Sequence, residues 1–576
     1  MKTTHVRQLA VSVLLSMLTM FVGCEKTTSQ KSNSSTATGK ELSAVKLTIP
    51  KSLLVYAGIT KPNDTLKSLS AIANTVQPGM PDATMMAPPL LQNEFRLMSP
   101  AGIDLSKSIG FALFERSTYG RDPSATLVGM TSKDQFIQSL PKNNQKQNDA
   151  GNAYSYLKWT GAKTPVFVNF VGQHAVLTRH PELFPAHKAF LSKLADHQFK
   201  KAGSIFVSLD NVYRAEQREI DSAIAQAKAK SKTDLANSPA ADSAAFFTDM
   251  LESVPKLMKQ LASAEFILSA DPTGLGLNFL FSAKEGSSVG ASWAKLKGAE
   301  HTLLKTAPMD TVAFGSVAFA ANAEPNKLQE MLLNFAMSAL KMVAKIDPAI
   351  AKEVEESGRA MLGQMTGHFL AIVHPYPGSN SMLPSVITGI KDANVARTAY
   401  AKSVKAMAAL TANTELGFTS NFSEYKIGDV PVTVQKTVHS NVNPMMAMLS
   451  AFNETHTMIT NGMSILAYGA TAKPELERAM KGADEGFSKT VDVKRLTQKG
   501  VANAFLYAFV SPVKLMQRVS LGGMNPFAAT LNGLQAQGGL GFVLGTDGNS
   551  LDFLIDIPTT LLKDGMAVFT RVKGGM

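Results

Sequence analysis

Apolar and polar positions alternate between two rhythms along this chain, and the same sequence of rhythms occurs twice. Leu53-Leu54-Val55-Tyr56-Ala57 is a strand-like run, followed by Lys61-Pro62-Asn63 and a helical pattern from near Asp64. Val312 to Val317 leads in the same way into Glu324-Pro325-Asn326 and a helix. In that helix Leu328, Met331, Leu332, Phe335, Ala339, Met342, Val343 and Ile346 share one face, with charged and polar residues on the other. Leu127-Val128-Gly129-Met130 then pairs with Ile387-Thr388-Gly389-Ile390, each running into a polar helix start. A hairpin pattern follows: Val166 to Val171, Gly172, and Ala175 to Thr178, against Thr457 to Thr460, Asn461-Gly462, and Ser464 to Tyr468. Both hairpins lead to the same tripeptide, Pro181-Glu182-Leu183 and Pro474-Glu475-Leu476, which suits the first turn of a helix.

A second strand–helix unit follows in each half, Ser204 to Leu209 and Ala504 to Val510, and each half closes on a hairpin whose turn carries Asp and Gly. Five landmarks in one order, offset by about 260 to 300 residues, predict an internal duplication. The expectation is an α+β fold of two tandem similar domains, residues 46–300 and 301–576, each mainly antiparallel sheet with packed helices. Gln77 to Leu91, rich in Pro and Met, and Ala227 to Asp242, rich in Lys, Ala and Ser, read as surface loops inserted into this plan.

The N-terminus follows another logic. Lys2 and Arg7 precede an apolar stretch, Leu9 to Val22, which as a helix would cover roughly 21 Å, short of the ~30 Å hydrocarbon core. It reads as the apolar part of a secretory signal, residues 1–23, and not as a membrane span. Phe21-Val22-Gly23-Cys24 resembles the lipobox of bacterial lipoproteins, with Phe21 in place of the usual Leu. The resemblance implies lipid attachment at Cys24, the only cysteine in the chain, and Glu25 after it implies the outer membrane in a host that has one. In a host with a single membrane the anchor is the cell membrane. Residues 24–45 are almost all polar and small, a composition that cannot offset the entropy of ordering, so they read as a flexible tether.

Composition narrows the partners. Without Lys2 and Arg7 the net charge is about +10, but the basic residues are scattered, and export argues against nucleic acid. The expected partners are the membrane, through the N-terminal lipid, and an apolar ligand or an envelope protein. No phosphate loop, dinucleotide fingerprint or CxxC pair occurs, so no cofactor is expected. His174, His180, His187, His368 and His374 lack the spacing of a ligand set, and no metal is expected. Gly286-Ser287-Ser288-Val289-Gly290 matches a nucleophile elbow formally, making Ser288 a weak catalytic candidate with Asp310 and His368 or His374 in chain order. Its setting after a hairpin favours a serine cap on the helix through Trp293.

Methionine is the unusual component: 28 residues, with concentrations at Met85-Met86, at Met331, Met337 and Met342, and at Met445-Met446 with Met448. Thioether side chains fill core gaps, but in the open they make an adaptable apolar surface for an acyl chain or a partner's helix. Met445, Met448 and Phe452 would share one helix face and are the candidate contact residues. The favoured reading is a membrane-anchored, non-enzymatic envelope lipoprotein that binds a ligand or envelope partner. A secreted serine hydrolase using Ser288 and a purely structural scaffold are the alternatives.

Overall fold

The computed structural model describes residues 47–120, 123–146, 153–157, 164–236, 254–320, 347–376, 382–411, 418–439, 453–482, 487–498, 500–518, 531, 533–536 and 538–574. Cys24, the tether, the helix expected over 327–346, and Met445, Met448 and Phe452 lie outside them. The chain divides into two compact units, residues 1–291 with 549–551, and residues 292–548 with 552–576. The division falls between Ala291 and Ser292, where the sequence pattern placed it near residue 300.

Unit 1 contains strands β1 (Leu53–Ile59), β2 (Ile109–Phe114), β3 (Ser124–Gly129), β4 (Gln145–Lys146), β5 (Tyr154–Tyr156), β6 (Val166–Val171), β7 (His174–Thr178), β8 (Gly203–Ser208), β9 (Leu261–Asp271) and β10 (Gly274–Ala283). They hydrogen-bond in the order β4-β5-β6-β7-β3-β2-β1-β8-β9-β10, antiparallel throughout. Unit 2 contains β11 (Ala313–Ala318), β12 (Met365–Pro375), β13 (Met382–Ile390), β14 (Phe418–Ile427), β15 (Val430–His439), β16 (Glu454–Thr460), β17 (Met463–Tyr468), β18 (Leu506–Val510), β19 (Leu540–Asp547) and β20 (Ser550–Pro558). Their order is β14-β15-β16-β17-β13-β12-β11-β18-β19-β20. Strand for strand this is the order of unit 1. The fold is α+β, and its duplication is topological as well as sequential.

The landmarks fall on corresponding strands. Leu53 to Ala57 lies in β1 and its partner run, from Ala313 on, in β11; the glycine hairpins are β6–β7 and β16–β17, both with two-residue loops. Gly172 and Gly462 take positive φ there, 52° and 89°, which a side chain would oppose.

Helices cover both faces of the unit 1 sheet. In β3, Leu127 joins a cluster with Leu53, Phe114 and Leu191, while its neighbour Val128 joins one with Phe95, Phe136 and Tyr156. Successive strand residues face opposite sides, so a strand buried on both must be apolar throughout. Helix α1 (Pro62–Val76) follows β1; α2 (Ala83–Phe95) and α3 (Lys133–Ser139) supply Phe95 and Phe136 to one layer. Helix α4 (Leu183–Ala195) supplies Leu183, Leu191 and Leu194 to the other, and α5 (Leu209–Ala236) follows β8.

In unit 2, α6 (Pro348–Gln364) precedes β12 and α7 (Ala393–Thr411) follows β13. Helix α8 (Ala472–Lys481) follows β17 and α9 (Val491–Gln498) comes next; they bring Leu476, Ala479, Val493 and Leu496 to the main core. Helix α10 (Pro512–Arg518) follows β18, and α11 (Thr559–Gly574) follows β20.

Two loop expectations need correction. Residues within Gln77–Leu91 form most of α2, because Asp82 caps its start and Phe95 anchors its end in the core. Those tertiary contacts override the two prolines that made the segment read as a loop. Ala227 to Ala236 are helical and continue α5, as the helix propensity of alanine and lysine allows; residues 237–242 lie outside the described residues.

Candidate functional site

The site begins with a helix that turns its apolar side chains outward. Residues 83 to 93 carry no charge, and Pro88 and Pro89 stand mid-helix. A proline cannot donate to the carbonyl four residues back, so the Thr84 and Met85 carbonyls lose their helical partners. The ends hold α2 in place. Asp82 Oδ1 accepts from Thr84 N at 2.9 Å, Ser70 Oγ donates to the same oxygen at 3.1 Å, and Ala83 N donates to Ser70 Oγ at 2.9 Å. The Thr84 hydrogen bonds hold the Asp82 carboxyl below the usual carboxylate range. At the other end Tyr156 Oη donates to Phe95 O at 2.8 Å, Arg96 takes a left-handed φ of 55°, and Leu97 N donates to Gln92 O at 2.9 Å.

Between those clamps the helix has an inner and an outer face. Ala87, Leu91 and Phe95, four residues apart, turn inward; Met85 with Pro89 and Met86 with Leu90 turn outward. Met85 is 77% exposed and Leu90 62%. Met80 before the helix and Met98 after it are exposed as well. Of thirteen exposed large apolar side chains among the described residues, five lie between residues 80 and 98. Of these, Met85, Met86 and Leu90 adjoin on the outward face of α2, where scattered single residues would call for no explanation.

The helix in the comparable place of unit 2, α6, is built differently. Asp347 caps it through Ala349 N at 2.8 Å, and its surface carries the ion pairs Lys352–Glu356 at 3.8 Å and Arg359–Glu355 at 3.0 Å. Both helices precede the second strand of their unit. One has a solvated charged face, and the other exposes thioethers and leucine.

One cluster of reactive polar residues, around Glu475, is buried and occupied. Glu475, in the first turn of α8, is 0% exposed, and Arg478 Nε and a terminal guanidinium nitrogen each reach its carboxylate at 2.7 Å. Ser385 Oγ lies 2.8 Å from Glu475 Oε1, and His374 Nε2 lies 3.0 Å from the same oxygen, off the line of a hydrogen bond. Arg478 also donates to Thr306 O at 2.7 Å. Burial raises the Glu475 pKa, but the Arg478 and His374 contacts outweigh it and bring the carboxyl down to about 2. Burial pushes the Tyr376 phenol, 3.1 Å from Ser385 Oγ, up to about 12. The Ser385 hydroxyl donates to an acid and not to a histidine, and His374 is 1% exposed. The cluster staples α8 to β12 and β13 and offers a substrate no approach. The same tripeptide in unit 1 leaves Glu182 exposed just before α4.

Ser288 begins the short helix Ser288–Trp293, and its hydroxyl donates to Gln260 Oε1 at 2.6 Å. An amide oxygen cannot take up the proton as a general base must. Ser287 caps the helix, accepting from Gly290 N at 3.1 Å. His368 and His374 both lie in β12, as their strand pattern implied. His174 lies 2.9 Å from Ser108 Oγ, His187 lies 2.7 Å from Tyr119 Oη, and His180 lies 3.6 Å from Glu182. Among the described residues no group of three or more His, Cys, Asp and Glu side chains could hold a metal ion. Among them also, no helix is long and apolar enough to cross a membrane.

Sequence reasoning named Met85-Met86 among the methionine concentrations but chose Met445, Met448 and Phe452 for the surface. The misleading signal was the pair of prolines beside the methionines, which pointed to a loop. No protein-family model matches the chain, and no curated protein does. Among solved structures it is similar to crystal form IV of TP0453, at 9% identity and a TM-score of 0.21, over 48% of this chain and 99% of that one. Crystal form III of TP0453 matches at 10% identity and a TM-score of 0.19, over 47% and 98%. At that level of superposition neither carries an inference about this chain.

Proposed function

We propose that this chain is a lipid-anchored, non-enzymatic envelope protein whose first unit binds another envelope component through the outward face of α2. The carrying observation is the contrast between α2 and α6: one place in a duplicated fold, charged in one copy and apolar in the other. Exposed methionine and leucine cost solubility, and a surface that retains them has an apolar occupant to meet. Burying the exposed parts of Met85, Met86 and Leu90 offers roughly 3–5 kcal/mol gross, enough for a weak contact strengthened by tethering both partners to one membrane. Unbranched thioether side chains re-pack against acyl chains and helix faces of differing shape. The lipobox resemblance at Cys24 supplies the anchor, and the polar tether gives the body its reach.

The test is photocrosslinking in the native host, with a benzophenone amino acid at position 86 and, as the control, at position 352 on α6. A protein or lipid adduct from position 86 alone supports the reading, and its mass separates a partner protein from an acyl chain. Equal adducts from both positions, or none from position 86, would sink it. Incorporation of labelled palmitate, abolished by Cys24→Ala, checks the anchor.

A further inference from the structure

We propose that Met85 and Met86 are an oxidation site, and that their conversion to sulfoxides by a peroxide or hypohalous acid makes the outer face of α2 polar. Met130, Met258 and Met458 are buried in the cores, and Met80, Met98 and Met309, though exposed, each stand without an adjacent methionine. Met85 and Met86 stand adjacent on a helix surface whose residues 83 to 93 carry no charge. The backbone tolerates the change. Pro88 and Pro89 already remove the donors to the Thr84 and Met85 carbonyls, so the first turns of α2 hold few helical bonds to disrupt.

With hydrogen peroxide the step is a two-electron oxygen transfer. A sulfur lone pair attacks one peroxide oxygen, the S–O bond forms and the O–O bond breaks. The leaving hydroxide takes the remaining proton and departs as water. Sulfur is oxidised and the peroxide reduced, and sulfoxide reductases can reverse the product. Two sulfoxides place two strong dipoles where an apolar partner would sit. The consequence for docking rests on the function proposed above; the oxidation site itself does not.

The experiment treats the full chain with graded hydrogen peroxide and follows each methionine by tryptic peptide mass spectrometry. Cleavage after Lys67 and Arg96 isolates one peptide carrying Met80, Met85 and Met86. Sulfoxide is expected at Met85 and Met86 at least about tenfold faster than at Met130, Met258 and Met458. The oxidised protein should elute earlier from a hydrophobic-interaction column. A Met85→Leu, Met86→Leu double variant, which keeps the apolar character of these two positions without their sulfur, should shift less, because among the exposed methionines of the described residues Met80, Met98 and Met309 alone remain to be oxidised. Equal rates at buried and exposed methionines overturn the proposal, as does a double variant that shifts like the wild type. Failure of the crosslinking at position 86 would remove the docking function while leaving these two results to decide the oxidation site.

Discussion

Replacing Arg478 with methionine strands a carboxylate in the core of unit 2, and the structure fixes both the size and the pH dependence of the penalty. Glu475 is fully buried and loses two charge-assisted hydrogen bonds of 2.7 Å, keeping only Ser385 and His374. An ionised carboxylate left without its partner costs about 3–5 kcal/mol. The protein has a cheaper route, which is to bind a proton at Glu475. At pH 7 that route costs the work of protonating a group whose ordinary pKa is 4.5, a gap of 2.5 pH units, or about 3 kcal/mol. The expected loss for Arg478→Met is therefore about 3 kcal/mol at pH 7, falling by about 1.4 kcal/mol for each pH unit down to 4.5.

The wild type should behave in the opposite way. Its Glu475 pKa is held down to about 2, so the stabilisation is fully present above pH 4.5 and is lost as the pH falls through about 2. Urea unfolding followed by Trp293 fluorescence, in a Trp159→Phe background, reports on unit 2. Glu475→Gln added to Arg478→Met should restore about 1–2 kcal/mol at pH 7 and remove the pH slope, because no charge is left to bury. A loss below about 1 kcal/mol at pH 7, or one that does not change between pH 7 and 4.5, would refute the reasoning.

Asp492 gives the inverse case: burial pushes its pKa up to about 6, Asp556 and Asp564 add to this, and Lys514 and Arg495 oppose it. Stability from this group is present below the ordinary pKa of 3.8 and lost as the pH rises through about 6. Asp492→Asn should thus stabilise unit 2 by roughly 1–2 kcal/mol at pH 8 after allowance for partial exposure, and by nothing at pH 3.5; a gain equal at both values counts against it. Burial holds His301 down to about 4, against the pull of the Ala504 carbonyl. Its folded form stays neutral between 6.5 and 4, so its stabilisation is lost as the pH falls through that interval, and NMR of the ring should give a midpoint near 4 in place of 6.5. Replacing Pro88 and Pro89 together by alanine restores two donors to α2, and amide exchange in residues 84–95 should slow about tenfold or more; unchanged exchange would mean that the prolines do not set the weakness of this helix.

The duplication was legible because it rests on features that sequence carries locally. Strand pairs such as β6–β7 and β16–β17 are marked by apolar runs around a glycine that takes positive φ, and that signal survives wide divergence of the side chains. The strand order was not legible, since pairing β7 with β3, or β18 with β11, is a non-local choice. The Glu475 staple was hidden for the same reason. Pro474-Glu475-Leu476 looks like an ordinary helix start, and only the arrival of β12 and β13 with His374 and Ser385 makes its glutamate a core residue. Helix α2 failed differently. Its local sequence argues for a loop, and what makes it a helix is a capping triad of Ser70, Asp82 and Thr84 together with Phe95 held in a distant cluster.

Two copies of one fold in one chain make their differences more informative than their likeness. Where both need a packed sheet, both keep alternating strands and the same pairing order, so those positions report the demands of folding. At α2 and α6 folding demands only a helix anchored at its ends and covering one face. The outward residues are then free to differ, and they do: Lys352, Glu355, Glu356 and Arg359 in one copy, Met85, Met86, Pro89 and Leu90 in the other. Charged pairs on an exposed helix face are the default for a solvated surface, and each is worth only a few tenths of a kcal/mol. The departure therefore lies in unit 1, where prolines weaken the helix and thioethers face water. Neither change is required by the sheet beneath, because the inner residues Leu91 and Phe95 already satisfy it. A feature that costs stability and solubility without serving the core is the observation on which the proposed function rests.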